Sequence, residues 1–215
     1  MARVLVMVPT FESIMPDTFK AIWDMDKGGH EVDWDFMRGY DTASARNNIA
    51  QAALDGGYDY VMMVDNDVTV PEDALVNLIS HDVDVVSGFY AHRDRNNVFS
   101  GRTCVCRLLQ PDGEPYFNYP AESEYTADEM REMRERGEHL VQVHGGGMGC
   151  VLIKTSVFAT LDYPWYDWVN YPDDNRGLLS EDLYFCEKMK WKRMPVHVDT
   201  RVACGHMFRR IERVD

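Results

Sequence analysis

Tyr58-Asp-Tyr-Val-Met-Met-Val-Asp-Asn-Asp67 is the stretch on which the reading of the chain turns. Tyr58–Val64 is an apolar run of Tyr, Val and Met and reads as a buried strand. It ends in Asp65-Asn66-Asp67. In an open α/β sheet, ligands bind beyond the C-terminal ends of the strands. Two carboxylates placed there, two residues apart, offer hard oxygen ligands for Mg²⁺ or Mn²⁺. The same tripeptide is also ordinary turn chemistry. What flanks it must decide.

Upstream, Arg3–Val8 reads as a buried strand. Pro16 suits a first helical turn, and Phe19, Ile22, Trp23 and Met25 follow at helical spacing until Gly28-Gly29. Val32, Trp34 and Phe36 alternate with Asp33 and Asp35, the period of a strand. Asp41 or Thr42 can cap a helix running to about Leu54, which Gly56-Gly57 ends. Downstream, Pro71-Glu72-Asp73 opens a helix and Val83–Tyr90 is a fourth strand. The first 90 residues thus read β-α-β-α-β-α-β, which implies a mostly parallel sheet with helices on both faces.

From about residue 91 to 140 the alternation breaks. Val98–Leu109 reads as strand and Pro111-Asp112-Gly113 as a turn. Thr126-Ala-Asp-Glu129 is a capping box for a charged helix reaching Arg136. Then come Leu140–His144, a glycine cluster at Gly145–Gly149, a strand at Cys150–Lys154, an aromatic-rich loop over 163–180, a helix at Glu181–Lys190 and a strand at Val196–Asp199.

The chain has 215 residues, 45% of them apolar, which suits a single domain with a sizeable core. No apolar run approaches the ~18 residues a membrane span needs. The Val4–Val8 run meets Pro9 without a cleavage site, so a strand is expected rather than a signal peptide, and with it a cytoplasmic location. With 22 Lys+Arg against 36 Asp+Glu the formal net charge is −14. That argues against strong general binding to nucleic acid or anionic membranes. Arg201, Arg209, Arg210 and Arg213 form a local basic run, read as a solvated tail. Five cysteines (Cys104, Cys106, Cys150, Cys186 and Cys204) form no C-x-x-C pair. Reduced, mostly buried thiols are expected rather than a zinc site.

Other segments leave two readings open. Gly145–Gly149 is neither a Walker loop nor a dinucleotide fingerprint, so it serves either a close backbone approach to a ligand or a tight turn. Trp165, Tyr166, Trp168 and Tyr171 could stack sugars on a lid or seal the core. Arg93 and Arg95 could reach phosphate or acceptor, or stand in solvent. His92, His144 and His197 carry no assignable role.

Taken in order, several motifs resemble those of GT-A glycosyltransferases, especially ones similar to family 2. The resemblance covers roughly residues 3–90 and 143–206. Val4–Thr10 looks like that family's first strand and nucleotide loop, and Ala45-Arg46-Asn47 like its Ala-Arg-Asn element. Val64-Asp-Asn-Asp67 looks like its D-x-D motif, and Gly147–Ile153 like its glycine-led acceptor-side strand. Ser180-Glu181-Asp182 looks like its E-D motif, and Gly205-His206 stands where relatives place a histidine metal ligand.

The resemblance implies one GT-A-like catalytic domain with a Rossmann-type three-layer fold over 1–215. Residues 1–90 would be the nucleotide-binding half, 91–140 an insertion or acceptor-side region, and 141–215 the acceptor and catalytic half. It implies a nucleotide diphosphate sugar as donor, plausibly a UDP-sugar, with Mn²⁺ or Mg²⁺, and a hydroxyl acceptor. Pro9, Thr10, Arg46, Asn47, Asp65, Asn66 and Gly147 would contact the nucleotide sugar. Asp65, Asp67 and His206 would form the metal site, Asp65 meeting either ribose or metal-bound water. Asp182, with Glu181 beside it, would be the catalytic base: an acceptor hydroxyl must lose its proton as it attacks. A helix start equally favours a carboxylate that merely caps. Sugar-phosphate nucleotidyltransferases are an alternative, disfavoured because Pro9-Thr-Phe-Glu-Ser-Ile14 holds no glycine. A non-catalytic sugar- or nucleotide-binding module is another.

Overall fold

The computed structural model describes residues 1–39, 41–93, 99–108, 123–171 and 177–207. The expected turn at Pro111-Asp112-Gly113 lies outside these residues, as do Arg95, Arg209, Arg210 and Arg213 and the side chains of Arg93 and Tyr171.

The first part of the chain follows the alternation its apolar pattern dictates. It runs β1 (Arg3–Thr10), α1 (Pro16–Asp24), β2 (Glu31–Arg38), α2 (Thr42–Asp55), β3 (Tyr60–Val64), β4 (Val68–Thr69), α3 (Ala74–Ile79) and β5 (Val85–Phe89). Asp41 caps α2 by accepting the Ser44 N–H at 2.9 Å. Next come β6 (Ala91–Arg93), β7 (Phe99–Cys106), β8 (Glu124–Thr126) and α4 (Ala127–Glu135). Thr126 and Glu129 close the expected capping box at the start of α4. The remainder is β9 (Leu140–Val143), β10 (Gly145–Gly146), β11 (Cys150–Lys154), α5 (Ser156–Thr160), β12 (Val169–Tyr171), β13 (Gly177–Leu179), α6 (Glu181–Trp191), β14 (Val196–Ala203) and β15 (Gly205–His206).

Seven strands form the central sheet in the order β2-β1-β3-β11-β5-β14-β9. β2, β1 and β3 are parallel, and so are β5 and β14, whereas β11 runs against both β3 and β5 and β9 against β14. This is the mixed, mainly parallel α/β sheet expected. Its order departs from the simplest reading of the alternation in one respect: β3 and β5 do not touch, because β11 arrives late in the chain and fills the gap.

The period-two geometry of the strands splits the core between two faces. Leu5, Met7, Val61, Met63, Val151 and Ile153 pack against α2, α4, α5 and α6. Val4, Val6, Val8, Met62, Val64 and Leu152 pack against α1 and α3. A smaller sheet, β10-β7-β6 with β8 on β7, lies beyond the end of β5. The helical spacing of α1 was half right: Ile22 and Met25 are buried, but Phe19 and Trp23 stand 44% and 67% exposed. β2 sits at the sheet edge, so its expected core residues Trp34 and Phe36 are 39% and 49% exposed.

Candidate active site

β1, β2 and β3 end on the same side of the sheet, and a cleft of about 340 Å³ opens there. Pro9 and Thr10 at the end of β1 line it with Asp65, Asn66 and Asp67 after β3. Phe11, Gly39, Asp41, Thr42 and Ala45 complete the lining. None of those five was singled out from the sequence as a ligand contact. They sit in loops whose proximity depends on the parallel register, as when Gly39 N–H donates to Thr10 O at 3.2 Å.

Because β11 is antiparallel, its start rather than its end meets the site. Asp65 N–H donates to Gly149 O at 2.9 Å. A Cβ on Gly149 would lie 2.9 Å from Asp65 Oδ2 and from the Tyr90 ring, so the backbone approach requires glycine. Gly147 backs onto the Tyr90 hydroxyl, where a Cβ would sit 2.1 Å away, and does not line the cleft.

His206 is brought to Asp67, at the edge of the cleft, by a two-residue ladder. β15 pairs antiparallel with β4, setting His206 opposite Val68, and Met207 N–H donates to Asp67 O at 2.9 Å. The His206 ring stands edge-on to Tyr90 with centroids 5.0 Å apart. Its Nδ1 lies 2.8 Å from Ala91 O, which can only accept, so Nδ1 carries a proton. Nε2 is thereby turned toward Asp67 Oδ1, 3.7 Å away. A histidine whose far nitrogen is tied to a carbonyl is oriented as metal-ligating histidines are. Among the described residues, no group of three or more His, Cys, Asp or Glu side chains is gathered closely enough to hold a metal ion. Asp67 and His206 bring one carboxylate and one imidazole together, short of such a group. Two such groups could hold Mn²⁺ or Mg²⁺ only if oxygens from elsewhere completed the shell.

Beneath the cleft lies Arg46, 2% exposed. Its Nη2 donates to Asp65 Oδ1 at 2.8 Å, and its Nε stands 3.6 Å from Glu181 Oε1. Burial opposes the charge on this guanidinium, yet Asp65 and Glu181 together raise its pKa further. Burial also raises the Asp65 carboxyl above its ordinary value, with Arg46 opposing. The Glu181 carboxyl, 5% exposed, is lifted by burial to about 7. Asp182 is less enclosed. The Ser180 hydroxyl and the Leu183 N–H both bond its Oδ1, the latter at 2.8 Å.

The other residues singled out from the sequence divide between the cleft and the core. Asn47 faces the core: its Oδ1 accepts the N–H groups of Trp165 and Tyr166 at 3.0 and 3.1 Å, and its Nδ2 donates to Tyr166 O at 2.7 Å. Asn66 lines the cleft but also braces it, donating to Ser13 O at 2.7 Å. Trp165 and Tyr166 are 5% and 1% exposed and seal the core, whereas Trp168 is 44% exposed. Arg201, the described member of the C-terminal arginine run, folds onto the buried Asp199 at 2.7 Å, beside His81. His92, assigned no role, pairs with Glu124 at 2.7 Å, and His144 with buried Glu187 at 2.8 Å. The cysteines carry no disulfide, and Cys106, Cys150 and Cys186 are buried.

No protein-family model matches the chain, and no curated protein does. Solved structures do. A197 from STIV superimposes with a TM-score of 0.60 at 17% identity, over 96% of this chain and 86% of that one. GalNAc-T7, solved with UDP, GalNAc and Mn²⁺, superimposes with a TM-score of 0.61 at 11% identity, over 97% of this chain. This chain spans only 44% of that one. At such identities the likeness shows the fold: a three-layer α/β domain of the kind on which GT-A glycosyltransferases are built. No helix among the described residues is long and apolar enough to cross a membrane.

Proposed function

We propose that the protein is a metal-dependent glycosyltransferase that moves a sugar from a nucleotide diphosphate sugar, with a UDP-sugar as the first donor to test, to an acceptor hydroxyl. The observation that carries this reading is the meeting of Asp67 and His206. They come from distant parts of the chain and stand 3.7 Å apart, and Asp67 lines a cleft shared with Pro9, Thr10, Asp65 and Asn66. The order of the motifs, which resembles family 2, adds to it.

In this reading Asp67 and His206 would hold Mn²⁺ or Mg²⁺, and Asp65 would face the ribose or the ion's water. When bound, the ion offsets the charge that builds on the departing nucleoside diphosphate. Asp182 is the base. Its Oδ1 is held by Ser180 and Leu183, and Oδ2 takes the acceptor proton as the acceptor oxygen bonds the anomeric carbon and the diphosphate oxygen leaves. Glu181, buried against Arg46, is too enclosed to meet an acceptor.

The test is a panel of nucleotide sugars assayed for hydrolysis and transfer with and without Mn²⁺, alongside calorimetry with UDP. Metal-dependent turnover of one donor is the expected result. No turnover together with no UDP binding sinks the proposal. UDP binding without turnover of any donor favours a non-catalytic module instead.

A further inference from the structure

Arg46 was placed among the nucleotide contacts by sequence resemblance, but its surroundings describe a different part. The guanidinium is buried, does not line the cleft and, among the described residues, makes its one direct hydrogen bond to Asp65. Among the described residues its Nε and Nη1 are buried without a hydrogen-bond partner, and Nε stands 3.6 Å from Glu181, which opens α6. Asp65 is confined from the other side as well. Gly149 O holds its N–H, and the space beside its Oδ2 is closed to anything larger than a glycine hydrogen. The carboxylate at the rim of the cleft therefore has one orientation, imposed from below and from the side.

We propose that Arg46 is a positioning residue: it touches no substrate and clamps Asp65, on the donor side, to Glu181, on the acceptor side. The clamp joins the strand end that carries the donor carboxylates to the helix that carries Asp182. A guanidinium suits this because its planar fork can face two carboxylates at once, whereas a lysine ammonium serves as a single point. Burial strengthens both interactions and makes either carboxylate costly to leave alone. The inference rests on the donor reading given above, because Asp65 matters only if the cleft takes the donor and its metal.

The test compares wild type, Arg46→Lys and Glu181→Gln for binding of Mn²⁺ with UDP, by calorimetry and by Mn²⁺ electron paramagnetic resonance. Melting temperatures are measured in parallel. Thr126→Ala, which weakens the remote cap of α4, is the control for loss of stability alone. Outer partners that orient metal-site groups are worth about 10- to 100-fold in affinity. Arg46→Lys is therefore expected to bind Mn²⁺·UDP about 10-fold or more weakly. Glu181→Gln should be weaker by a smaller factor, and Thr126→Ala should bind like wild type. Wild-type affinity in either folded site variant overturns the clamp. So does an equal loss in Thr126→Ala, which would trace the effect to stability. Should Arg46→Lys fail to fold, Glu181→Gln carries the decision alone. Wild type that binds no Mn²⁺·UDP overturns the donor reading, and the clamp with it, an outcome the wild-type control reports separately.

Discussion

At the scale of single residues, the site separates into groups that face the cleft and groups that hold them. Asp67 and His206 are the proposed ion-binding pair. Asp67→Ala should abolish the rise in melting temperature that UDP with Mn²⁺ gives to wild type, as thermal shift would show. Asp182→Asn should lower kcat by about 10²- to 10⁴-fold while leaving Mn²⁺·UDP affinity unchanged. A similar loss of affinity would move Asp182 from chemistry to binding. Glu181 makes a pH prediction of a different kind. Its folded pKa is about 7 against an ordinary 4.5, so the folded chain retains a proton that the unfolded chain has lost. Stability contributed here is present below the lower value and falls as pH rises through the higher one. The melting temperature of Glu181→Gln should therefore gain on wild type by several degrees across that window and hold the gain above it. The local setting of several candidate residues was legible in the sequence. Asp65, Asn66 and Asp67 do follow a strand, and Glu181 and Asp182 do open a helix. Asn47 was not legible, because its partners are the backbone of Trp165 and Tyr166, more than half the chain away, and no local pattern records them.

At the scale of elements, helix boundaries and caps were the most readable features, since their signals are local. The Thr126–Glu129 capping box appears in the structure as its spacing predicts. Thr126→Ala should cost about 1 kcal/mol of stability, measured by denaturant unfolding. The two-residue strands were not foreseen as strands. β4 and β15 are too short for any periodicity, yet their pairing delivers His206 to Asp67. A Cβ at Gly205 would lie 2.4 Å from Thr69 Oγ1. Gly205→Val should therefore break this ladder and weaken Mn²⁺ binding while leaving the central sheet folded. Near-wild-type metal affinity in that variant would show that the ladder does not position His206.

For the whole molecule, fold class followed from the alternation of strands and helices, but strand order did not. Nothing in Cys150–Lys154 says which neighbours it will choose; that depends on two edges left open far upstream. The edge position of β2 was equally hidden, and it explains why Trp34 and Phe36 are exposed despite their alternating pattern. Trp34 meets Phe19 edge-on at 5.4 Å, and Phe19 stacks on Trp23 at 6.2 Å, leaving an aromatic patch beside a strand edge that is unpaired among the described residues. Such edges favour self-association. Trp34→Lys should raise the protein concentration at which light scattering first increases.

The late arrival of β11 also sets a timetable. As a ribosome releases the chain, β1, β2 and β3 can pair while β5 emerges, but the two parts of the sheet have no common edge until residue 154 is free. Until then the inner flanks of β3 and β5 are open, with Val61, Met63, Val85 and Val86 around them. Closing such long-range pairings is slow, and open apolar edges invite wrong partners in the interval. A nascent chain halted near residue 140 should remain protease-sensitive and chaperone-bound, and release past β11 should end both together.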